Sequence, residues 1–436
     1  MKRKFIDKLK PSLEGKVLIL KGWVANAKDM NKVKFLSLRD KTGSVQCIGN
    51  AEKTDAKTFA MMGTITPESV VEVKGELKVS KQAKQGFEIL VHKIKLISES
   101  DKPLPIDTSS KSQTNIDKRI DYRFLDMRRE EIAAIFKVRS NIVAAITEFF
   151  EKNGFVNINT PKLTAMGVES GAEMFEVNYF GKKAYLSQSP QIYKQMMVVS
   201  GLERVYEIGP VYRAEKSHTN RHLTEFVGVD FEMGFIKNEN DIMDVIEKMF
   251  IDIIKYVKKT AEKELKILNV DLLVPQNIPR LTMPDVKMML AKKGKNLPED
   301  VDLDAEAENL LGEIVKSEYS SEFVFVTRYP VAVRPFYHMR DKNNKNQTLS
   351  FDLIWKGVEV ATGAQREHRY KILKKQASEK GVDLDQMKSY ADIFRYGCPP
   401  HGGVGFGLDR ISQRMLNLNN VREAVLLPRD PERLTP

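Results

Sequence analysis

Cysteine is nearly absent from this chain of 436 residues, where only Cys47 and Cys398 occur. Two cysteines so far apart argue against a disulfide framework and against a cysteine-based zinc site, and they favour a reducing, cytoplasmic setting. Long apolar runs are also lacking, since no stretch approaches the roughly 20 apolar residues that span a bilayer. The basic start, residues 1–4, is not followed by an apolar segment. The sequence therefore predicts neither a signal peptide nor a membrane anchor.

Acidic residues are outnumbered by basic ones, 59 to 70, which leaves a formal net charge of +11. This excess favours a polyanionic partner such as nucleic acid, although many enzymes are mildly basic. The length exceeds what one hydrophobic core usually serves, so two or more domains are predicted. Hydrophobic residues at 42% and charged residues at 30% are typical of a folded globular protein.

Residues 1–105 have the pattern of a small β-barrel. Residues that favour strands are concentrated in about five runs, and one stretch of helical character, residues 51–62, follows the third run. This order is that of an OB-fold, a barrel that commonly binds single-stranded nucleic acid on one face. Another small β-barrel with a structural role remains the alternative.

Alternation in the second strand of this barrel predicts a nucleic-acid face. If Leu36 and Leu38 point into the core, Phe35 and Arg39 point outward. An exposed aromatic ring beside an exposed cation suits stacking on unpaired bases. Two further residues could read base edges if they share that face: Gln46 and Glu88. Taken singly, each of these residues is more often a solvated strand residue.

A linker or hinge is predicted at residues 106–130. Residues 98–114 are polar, and Pro103 and Pro105 interrupt regular structure there, which is the composition of a domain boundary. The segment before this boundary is rich in strands, and the segment after it has long helices.

Residues 131–436 form the second predicted domain, with a small helical insertion at about 260–325. Apolar residues recur at helical spacing over 132–149, and Gly154 is a good C-terminal cap for that helix. The strand that follows leads to Pro161. A helix and strand ending in proline are a weak signal alone, because proline often closes an edge strand.

A strand, a polar loop and a return strand are predicted over residues 205–233. Arg213 and Glu215 share one face of the first strand, and Phe226, Asp230 and Glu232 share one face of the second. If the two faces coincide, they present an arginine to a phosphate, a ring to a base and carboxylates to amines. A surface hairpin with cross-strand ion pairs is the alternative.

Two later stretches suit phosphates. Asp352 and Glu359 flank a predicted Lys356-Gly357 turn and could share a magnesium ion that bridges phosphates, or could pair with nearby lysines. The glycine-rich residues 399–407 open a helix that carries Arg410 at its start. A helix N-terminus with an arginine is a natural phosphate site, although so short a spacing can arise by chance.

Taken in order, these stretches resemble motifs 1, 2 and 3 of the class II aminoacyl-tRNA synthetases, from about residue 15 to Pro436. An N-terminal OB-fold joined to such a domain is the layout of the aspartate, asparagine and lysine enzymes. Several strings are similar to aspartyl-tRNA synthetases of the archaeal and eukaryotic type: residues 123–129, 189–195, 221–223, 365–369 and 434–436. The resemblance implies an α+β fold, with an OB-fold barrel followed by an antiparallel sheet flanked by helices.

The resemblance also implies partners and site residues. The substrates would be L-aspartate, ATP and tRNA-Asp, the cofactor Mg²⁺, and the assembly a homodimer built around Pro161. Arg213 and Arg410 would be catalytic. ATP would be bound by Arg213, Glu215, Arg221, His222, Leu223, Phe226, Glu359, Gly407, Leu408, Asp409 and Arg410. Aspartate would be bound by Glu169, Gln191, Lys194, Arg213, Asp230, Thr362 and Arg366. Magnesium would be bound by Asp352, Glu359 and Thr362. The anticodon would be bound by Phe35, Arg39, Gln46, Lys84 and Glu88.

Other functions of the same fold stay open at this point. An asparaginyl-tRNA synthetase would lack a lysine at position 194 and usually has glutamate where Asp230 stands. An enzyme that also charges tRNA-Asn is a second alternative: Lys84 resembles the strict form, whereas Ala25 stands where strict relatives have tryptophan. A tRNA-independent ligase would not need the complete barrel domain. A binding protein with an inactive second domain would not need to keep Arg213, Glu359 and Arg410.

Overall fold

The computed structural model describes five stretches of the chain: residues 2–83, 85–109, 112–165, 174–216 and 219–436. They form two compact units, Met1–Glu130 and Glu131–Pro436. Each unit has its own strands and its own buried apolar core. Among the described residues, no helix has both the length and the apolar character needed to cross a membrane.

A five-stranded barrel makes up most of the first unit. Its elements are β1 (Val17–Met30), β2 (Val33–Asp40), β3 (Gly43–Asn50), α1 (Ala56–Thr64), β4 (Val70–Val79) and β5 (Phe87–Ser98). The strands close in the order β1-β2-β3-β5-β4, with the helix after the third strand, and this confirms the predicted OB-type barrel. Alternation decides which side chains fill it, because Leu36 and Leu38 are each 1% exposed while Phe35 is only half-buried.

The segment predicted as a linker is partly helical. Two short helices lie in it: α2 (Ile116–Asp121) and α3 (Arg123–Asp126). Asp126 is fully buried and accepts hydrogen bonds from Arg119 at 3.0 Å, Arg123 at 2.9 Å and Arg129 at 3.3 Å. A buried carboxylate is tolerated when cations compensate it. Charge pairing therefore orders part of residues 106–130.

Two sheets and several helices form the second unit. Its strands are β6 (Val156–Asn157), β7 (Leu163–Thr164), β8 (Glu176–Tyr179), β9 (Lys182–Leu186), β10 (Arg204–Tyr212), β11 (Glu225–Gly234), β12 (Arg280–Thr282), β13 (Phe323–Thr327), β14 (Ser350–Trp355), β15 (Val358–Gln365) and β16 (His401–Gly407). Its helices are α4 (Glu130–Lys152), α5 (Gln191–Met197), α6 (Asn240–Thr260), α7 (Glu262–Leu268), α8 (Met283–Lys292), α9 (Ala305–Tyr319), α10 (Tyr370–Glu379), α11 (Lys388–Arg395) and α12 (Leu408–Met415).

The large sheet has the order β12-β13-β14-β15-β16-β11-β10-β6, and a small sheet has the order β7-β9-β8. Neighbours in the large sheet are antiparallel from β13 to β10, whereas the edge pairs β12–β13 and β6–β10 are parallel. The α+β class is confirmed, but the pairs at the two edges of the sheet are parallel and not antiparallel. Parallel neighbours need a long connection, and the chain has one between β6 and β10 and another between β12 and β13.

The segment predicted as a helical insertion also contributes strands. It contains α7, α8 and α9, but β12 lies between α7 and α8, and β13 begins at Phe323. Every residue of β13 is buried. A strand buried on both faces reads as a continuous apolar run, so period-two alternation does not reveal it.

Candidate functional site

A cavity of about 520 Å³ opens in the second unit over strands β10, β11, β15 and β16. Fourteen of the residues predicted to bind ATP, aspartate or metal line it. They are Gln191, Arg213, Glu215, Arg221, His222, Leu223, Phe226, Asp230, Glu359, Thr362, Arg366, Gly407, Asp409 and Arg410. The antiparallel pairing of β10, β11, β16 and β15 brings these distant segments side by side.

The first strand pair presents an arginine beside an aromatic ring. Strands β10 and β11 pair along their whole length, and the pairing continues where Arg213 N donates to Thr224 O at 2.9 Å. The Arg213 guanidinium lies over the Phe226 ring, 5.3 Å from its centroid, and 3.9 Å from the Glu215 carboxylate. Strand β10 ends at Tyr212, so Arg213 and Glu215 follow the strand instead of belonging to it, but they still lie beside Phe226 in this cavity. Together the three side chains offer a cation, a flat apolar ring and a carboxylate to one ligand.

The loop between these strands adds two more polar groups. The Thr219 side chain hydrogen-bonds the His222 ring and accepts from the Arg221 backbone N–H at 3.2 Å. Burial and the nearby Arg410 lower the pKa of His222, so its imidazole is neutral at neutral pH. A neutral histidine can hydrogen-bond a phosphate without adding charge.

Strands β14 and β15 bring the predicted magnesium ligands together. The turn between them contains Lys356 and Gly357, both with positive φ, and Asp352 lies opposite Thr362 in the register. Thr362 Oγ1 donates to Glu359 Oε1 at 3.2 Å. Glu359 and Thr362 line the cavity, whereas Asp352 is buried behind it.

These oxygen atoms fit a hard divalent cation. The Oδ2 atom of Asp352 accepts from Arg334, and its Oδ1 atom is buried without a hydrogen-bond partner among the described residues. Burial and the nearby Glu359 raise the pKa of Asp352. Within the described ranges no cluster of three or more metal-binding side chains forms, so a magnesium ion would need phosphate oxygens as further ligands.

The glycine-rich strand β16 is shaped by the sheet more than by a ligand. A Cβ atom on Gly403 would lie 2.1 Å from the Phe231 carbonyl oxygen, so only glycine fits between its neighbours. A Cβ atom on Gly407, which lines the cavity, would meet only Arg410 at 3.6 Å. Packing within the sheet therefore requires glycine at position 403, whereas Gly407 borders the cavity without such a steric requirement.

Helix α12 places Arg410 at the end of the cavity that is lined by the residues predicted to bind phosphates, here called the phosphate end. Its guanidinium donates to the Glu359 carbonyl at 3.0 Å and lies 3.6 Å from the Glu359 carboxylate. Asp409 also lines the cavity, but it accepts hydrogen bonds from Arg139 and from Val227 N. The Leu408 side chain is buried and lies outside the lining, so it belongs to the core.

The opposite end of the cavity contains Arg366 in a buried polar network. Its guanidinium donates to Glu232 at 2.9 and 3.3 Å, to Gln191 Oε1 at 3.0 Å and to His338 Nε2 at 2.9 Å. Because arginine only donates, His338 must accept with a neutral ring. Burial opposes ionisation of Glu232, but Arg366 and Lys194 overcome it and lower the pKa of Glu232.

Lys194 lies behind this end of the cavity. It is 2% exposed, and its Nζ atom donates to Asp230 Oδ1 at 2.8 Å and to the Val404 carbonyl at 3.0 Å. Asp230 lines the cavity, whereas Lys194 does not. Lys194 and Arg366 together carry two positive charges that Asp230 and Glu232 balance.

Comparison with known proteins assigns the family. A family described as tRNA synthetases class II (D, K and N) matches residues 115–431. The chain belongs to the class II tRNA synthetases. An OB-fold nucleic acid binding domain, described as an anticodon domain, matches residues 18–97. The resemblance drawn from the motifs is thereby confirmed, and this synthetase is an enzyme that uses ATP as a substrate.

Relatives and solved structures match this synthetase over nearly its whole length. The aspartate–tRNA(Asp) ligase of Pyrococcus abyssi is 41% identical over 99% of both chains. The aspartate–tRNA(Asp/Asn) ligase of Methanopyrus kandleri is 42% identical, covering 98% of this chain and 97% of its own. The asparaginyl-tRNA synthetase of Pyrococcus horikoshii, solved with asparaginyl-adenylate, superposes with a TM-score of 0.95 at 33% identity over 100% of both chains.

The outer face of the barrel contains most of the predicted anticodon residues. Phe35 is half-buried there, and Gln46 Nε2 donates to Glu88 Oε2 at 3.4 Å. The prediction that Arg39 is an exposed cation is wrong: it makes two hydrogen bonds to Glu68, at 2.7 and 2.9 Å, and its side chain is 14% exposed. Glu68, which is 29 positions further along the chain, pairs with Arg39, and strand alternation cannot predict such a partner.

Two predicted residues, Lys84 and Glu169, lie outside the described residues. An arginine and a histidine of the cavity lining were not predicted as site residues: Arg334 and His338. Glu232, which the strand alternation placed on the same face as Asp230, binds Arg366. Arg334 and His338 come from an irregular segment before β14, where no periodicity applies.

Proposed function

We propose that this synthetase is an aspartate–tRNA ligase, which activates L-aspartate with ATP and transfers it to the 3′ end of tRNA-Asp. The observation that carries the proposal is the Arg366 guanidinium on the cavity wall, held by Glu232, Gln191 and His338. Four of its five N–H groups are engaged in this network, and the remaining N–H on Nη1, with the fixed positive charge, suits the side-chain carboxylate of aspartate. The curated relatives at about 40% identity carry aspartate–tRNA ligase names, which supports the same substrate.

Aspartate binds at the Arg366 end of the cavity. Its side-chain carboxylate faces Arg366, and its ammonium group faces Asp230, with Glu169 proposed as a second carboxylate. Gln191 closes the pocket beside Arg366, with its amide oxygen turned to the guanidinium at 3.0 Å. The charges of Lys194 and Arg366 are balanced by Asp230 and Glu232. The side-chain carboxylate of bound aspartate adds one further negative charge beside Arg366.

In the first step an α-carboxylate oxygen of aspartate attacks the α-phosphorus of ATP, a P–O bond forms, and pyrophosphate leaves. Arg213 neutralises the developing charge on the α-phosphate, so no protein nucleophile is needed. The Phe226 ring stacks on adenine, and Glu215 accepts from its amino group. The remaining phosphate oxygens are bound by Arg221, His222 and Arg410.

Glu359 and Asp352 would hold Mg²⁺, with the Thr362 hydroxyl beside them. When bound, the cation would supply positive charge to the phosphates of ATP. The support is the pair of carboxylates at the phosphate end and the buried Asp352 oxygen without a hydrogen-bond partner among the described residues.

In the second step a ribose hydroxyl of the terminal adenosine attacks the aspartyl carbonyl carbon, and AMP leaves. Phe35, Gln46 and Glu88 contact the anticodon, with Lys84 and Arg39 as further candidates. An aspartate-dependent exchange of pyrophosphate into ATP, followed by charging of tRNA-Asp, tests the proposal. Exchange with asparagine in place of aspartate would assign the chain to the asparagine enzymes.

Charging of tRNA-Asn is a second candidate activity. Ala25 contributes to a cavity of about 700 Å³ in the barrel unit, together with Arg39 and Pro67. A small residue leaves room there for a nucleotide other than the cognate one. Relatives named for tRNA(Asp) and for tRNA(Asp/Asn) match at similar identity, 41% and 42%. Charging purified tRNA-Asp and tRNA-Asn side by side separates the two specificities.

We also propose that the enzyme is a homodimer in the cytoplasm. Val156 and Leu163, on either side of Pro161, are 42% and 47% exposed, which leaves apolar surface suited to a two-fold interface. Sedimentation at micromolar concentration should show a dimer, and Leu163→Asp should shift it towards monomer. An active wild-type monomer would contradict the dimer, and recovery in a membrane fraction would contradict the location.

A further inference from the structure

Helix α9 contains none of the residues that the proposed function uses. It belongs to the segment at about 260–325 and lies against the turn between β14 and β15. A Cβ atom on Gly312 would lie 2.6 Å from the Gly357 backbone nitrogen, and a Cβ atom on Gly357 would lie 2.8 Å from the Asn309 Cα. Two glycines therefore allow an unusually close approach of helix and turn, which fixes where the first turn of α9 lies.

The first turn of α9 contacts an arginine of the phosphate site. Glu308 Oε2 accepts from Arg221 Nη1 at 3.0 Å, and Asn309 Oδ1 accepts from Arg221 Nη2 at 3.2 Å. The same Glu308 oxygen accepts from the Glu359 backbone N–H at 3.1 Å. Both terminal nitrogens of the Arg221 guanidinium are thus hydrogen-bonded by side chains of helix α9. Arg221 lines the cavity, and neither Glu308 nor Asn309 does.

A carboxylate at this place needs a physical reason. Glu308 is largely buried near Glu359, in a site that must accept the negative charges of a triphosphate, and it would repel that ligand. A buried carboxylate is expected only where its hydrogen bonds offset the free-energy cost of burying it. Its hydrogen bonds go to Arg221 and to the backbone of Glu359, both at the phosphate end.

We propose that Glu308, assisted by Asn309, is a positioning residue that holds the Arg221 guanidinium in the orientation that binds the outer phosphates of ATP. The inference rests on the proposed function, because it assigns a role within the ATP site. In this arrangement helix α9 forms the rear wall of the triphosphate site. Glu308 acts through Arg221 and does not touch the substrate.

The test compares Glu308→Gln and Glu308→Ala with Glu313→Gln, an exposed glutamate on the same helix. Pyrophosphate exchange is measured with ATP and aspartate varied separately. Loss of a charge-assisted hydrogen bond corresponds to roughly 10- to 100-fold. We expect the KM for ATP to rise by about that factor in Glu308→Ala, and less in Glu308→Gln, which keeps an acceptor oxygen. The KM for aspartate and the thermal unfolding midpoint of Glu308→Gln should stay close to those of Glu313→Gln.

A double-mutant cycle with Arg221→Ala decides whether Glu308 acts through Arg221. Strong non-additivity supports the proposal, because Glu308 has nothing left to position once the guanidinium is gone. Additive effects would overturn it, as would an unchanged or lowered KM for ATP in the Glu308 variants. Calorimetric binding of a non-hydrolysable ATP analogue gives the same comparison without turnover. If the wild type binds the analogue but shows no aspartate-dependent exchange, the proposed function fails while the role of Glu308 can still be measured.

Discussion

Lys194 donates a hydrogen bond of 2.8 Å to Asp230 and lies 3.5 Å from Glu232, so its charge is balanced before any substrate arrives. Aspartate and asparagine are nearly isosteric, and charge must therefore separate them. Removing Lys194 breaks the ion pair of Asp230, while Glu232 keeps Arg366, so the net charge at the amino-acid end of the cavity becomes negative and opposes the side chain of aspartate.

Lys194→Leu should lose most activity with aspartate while asparagine activation changes far less. A site built on such polar contacts can discriminate by roughly 10,000- to 100,000-fold, and the Asp-over-Asn ratio should shrink by several orders of magnitude. The variant should also be less stable, by about 3–5 kcal/mol, because the buried Asp230 loses its ion pair with Lys194. The ratio, measured by pyrophosphate exchange with each amino acid, does not depend on the folded fraction. Lys162→Leu, which breaks a 2.8 Å pair with Glu207 away from the cavity lining, should leave the ratio unchanged. A ratio that survives in Lys194→Leu would show that another residue discriminates.

Arg213→Ala should reduce adenylate formation even without tRNA. The guanidinium over Phe226 faces the α-phosphate in the proposed mechanism, and loss of one donor to a transition state typically costs about 100- to 1000-fold in kcat. Arg204→Ala, at the exposed start of β10, the strand that precedes Arg213, should retain exchange activity. Near-normal exchange in a folded Arg213→Ala would refute the role of the β10–β11 pair.

Phe35→Ala and Arg39→Ala should have different consequences. Loss of a stacking ring costs about 1–3 kcal/mol per base, so Phe35→Ala should weaken tRNA charging and leave pyrophosphate exchange intact. Arg39→Ala should instead lower the thermal unfolding midpoint, because it leaves the buried Glu68 without two of its hydrogen bonds. Unchanged charging in Phe35→Ala would make Phe35 an ordinary surface residue. An unchanged midpoint in Arg39→Ala would mean that its pairing with Glu68 contributes little.

Both thiols should resist alkylation in the native protein at pH 8. Burial raises the pKa of Cys47 to about 12, and burial together with Glu232 raises the pKa of Cys398 to about 12. At pH 8 the reactive thiolate fraction is then about one in ten thousand, against about one in ten for a thiol with the ordinary value of 9.0. Labelling with iodoacetamide should be slow until denaturant is added. Fast native labelling of the half-buried Cys398 would contradict the raised pKa.

The family and the chemistry of the cavity were predictable from the sequence, because they depend on local pattern. Alternation separated Leu36 and Leu38 from Phe35, and the order of the three motifs identified the class II synthetase. Alternation also predicted strand faces for Arg213 and Phe226, and the two side chains meet in one cavity. Period-two spacing along a strand determines which face a side chain occupies, whatever the partner strand.

Partners distant in the chain were decided only by the tertiary structure. Arg39 meets Glu68 across 29 positions, Lys194 meets Asp230 across 36, and Arg221 meets Glu308 across 87. No periodicity connects such positions, because the separation along the chain bears no fixed relation to the distance in space once loops and helices intervene. The sequence determined which residues could carry charge into the site, and the packing of sheet against helix determined which of those charges is already paired before a substrate binds.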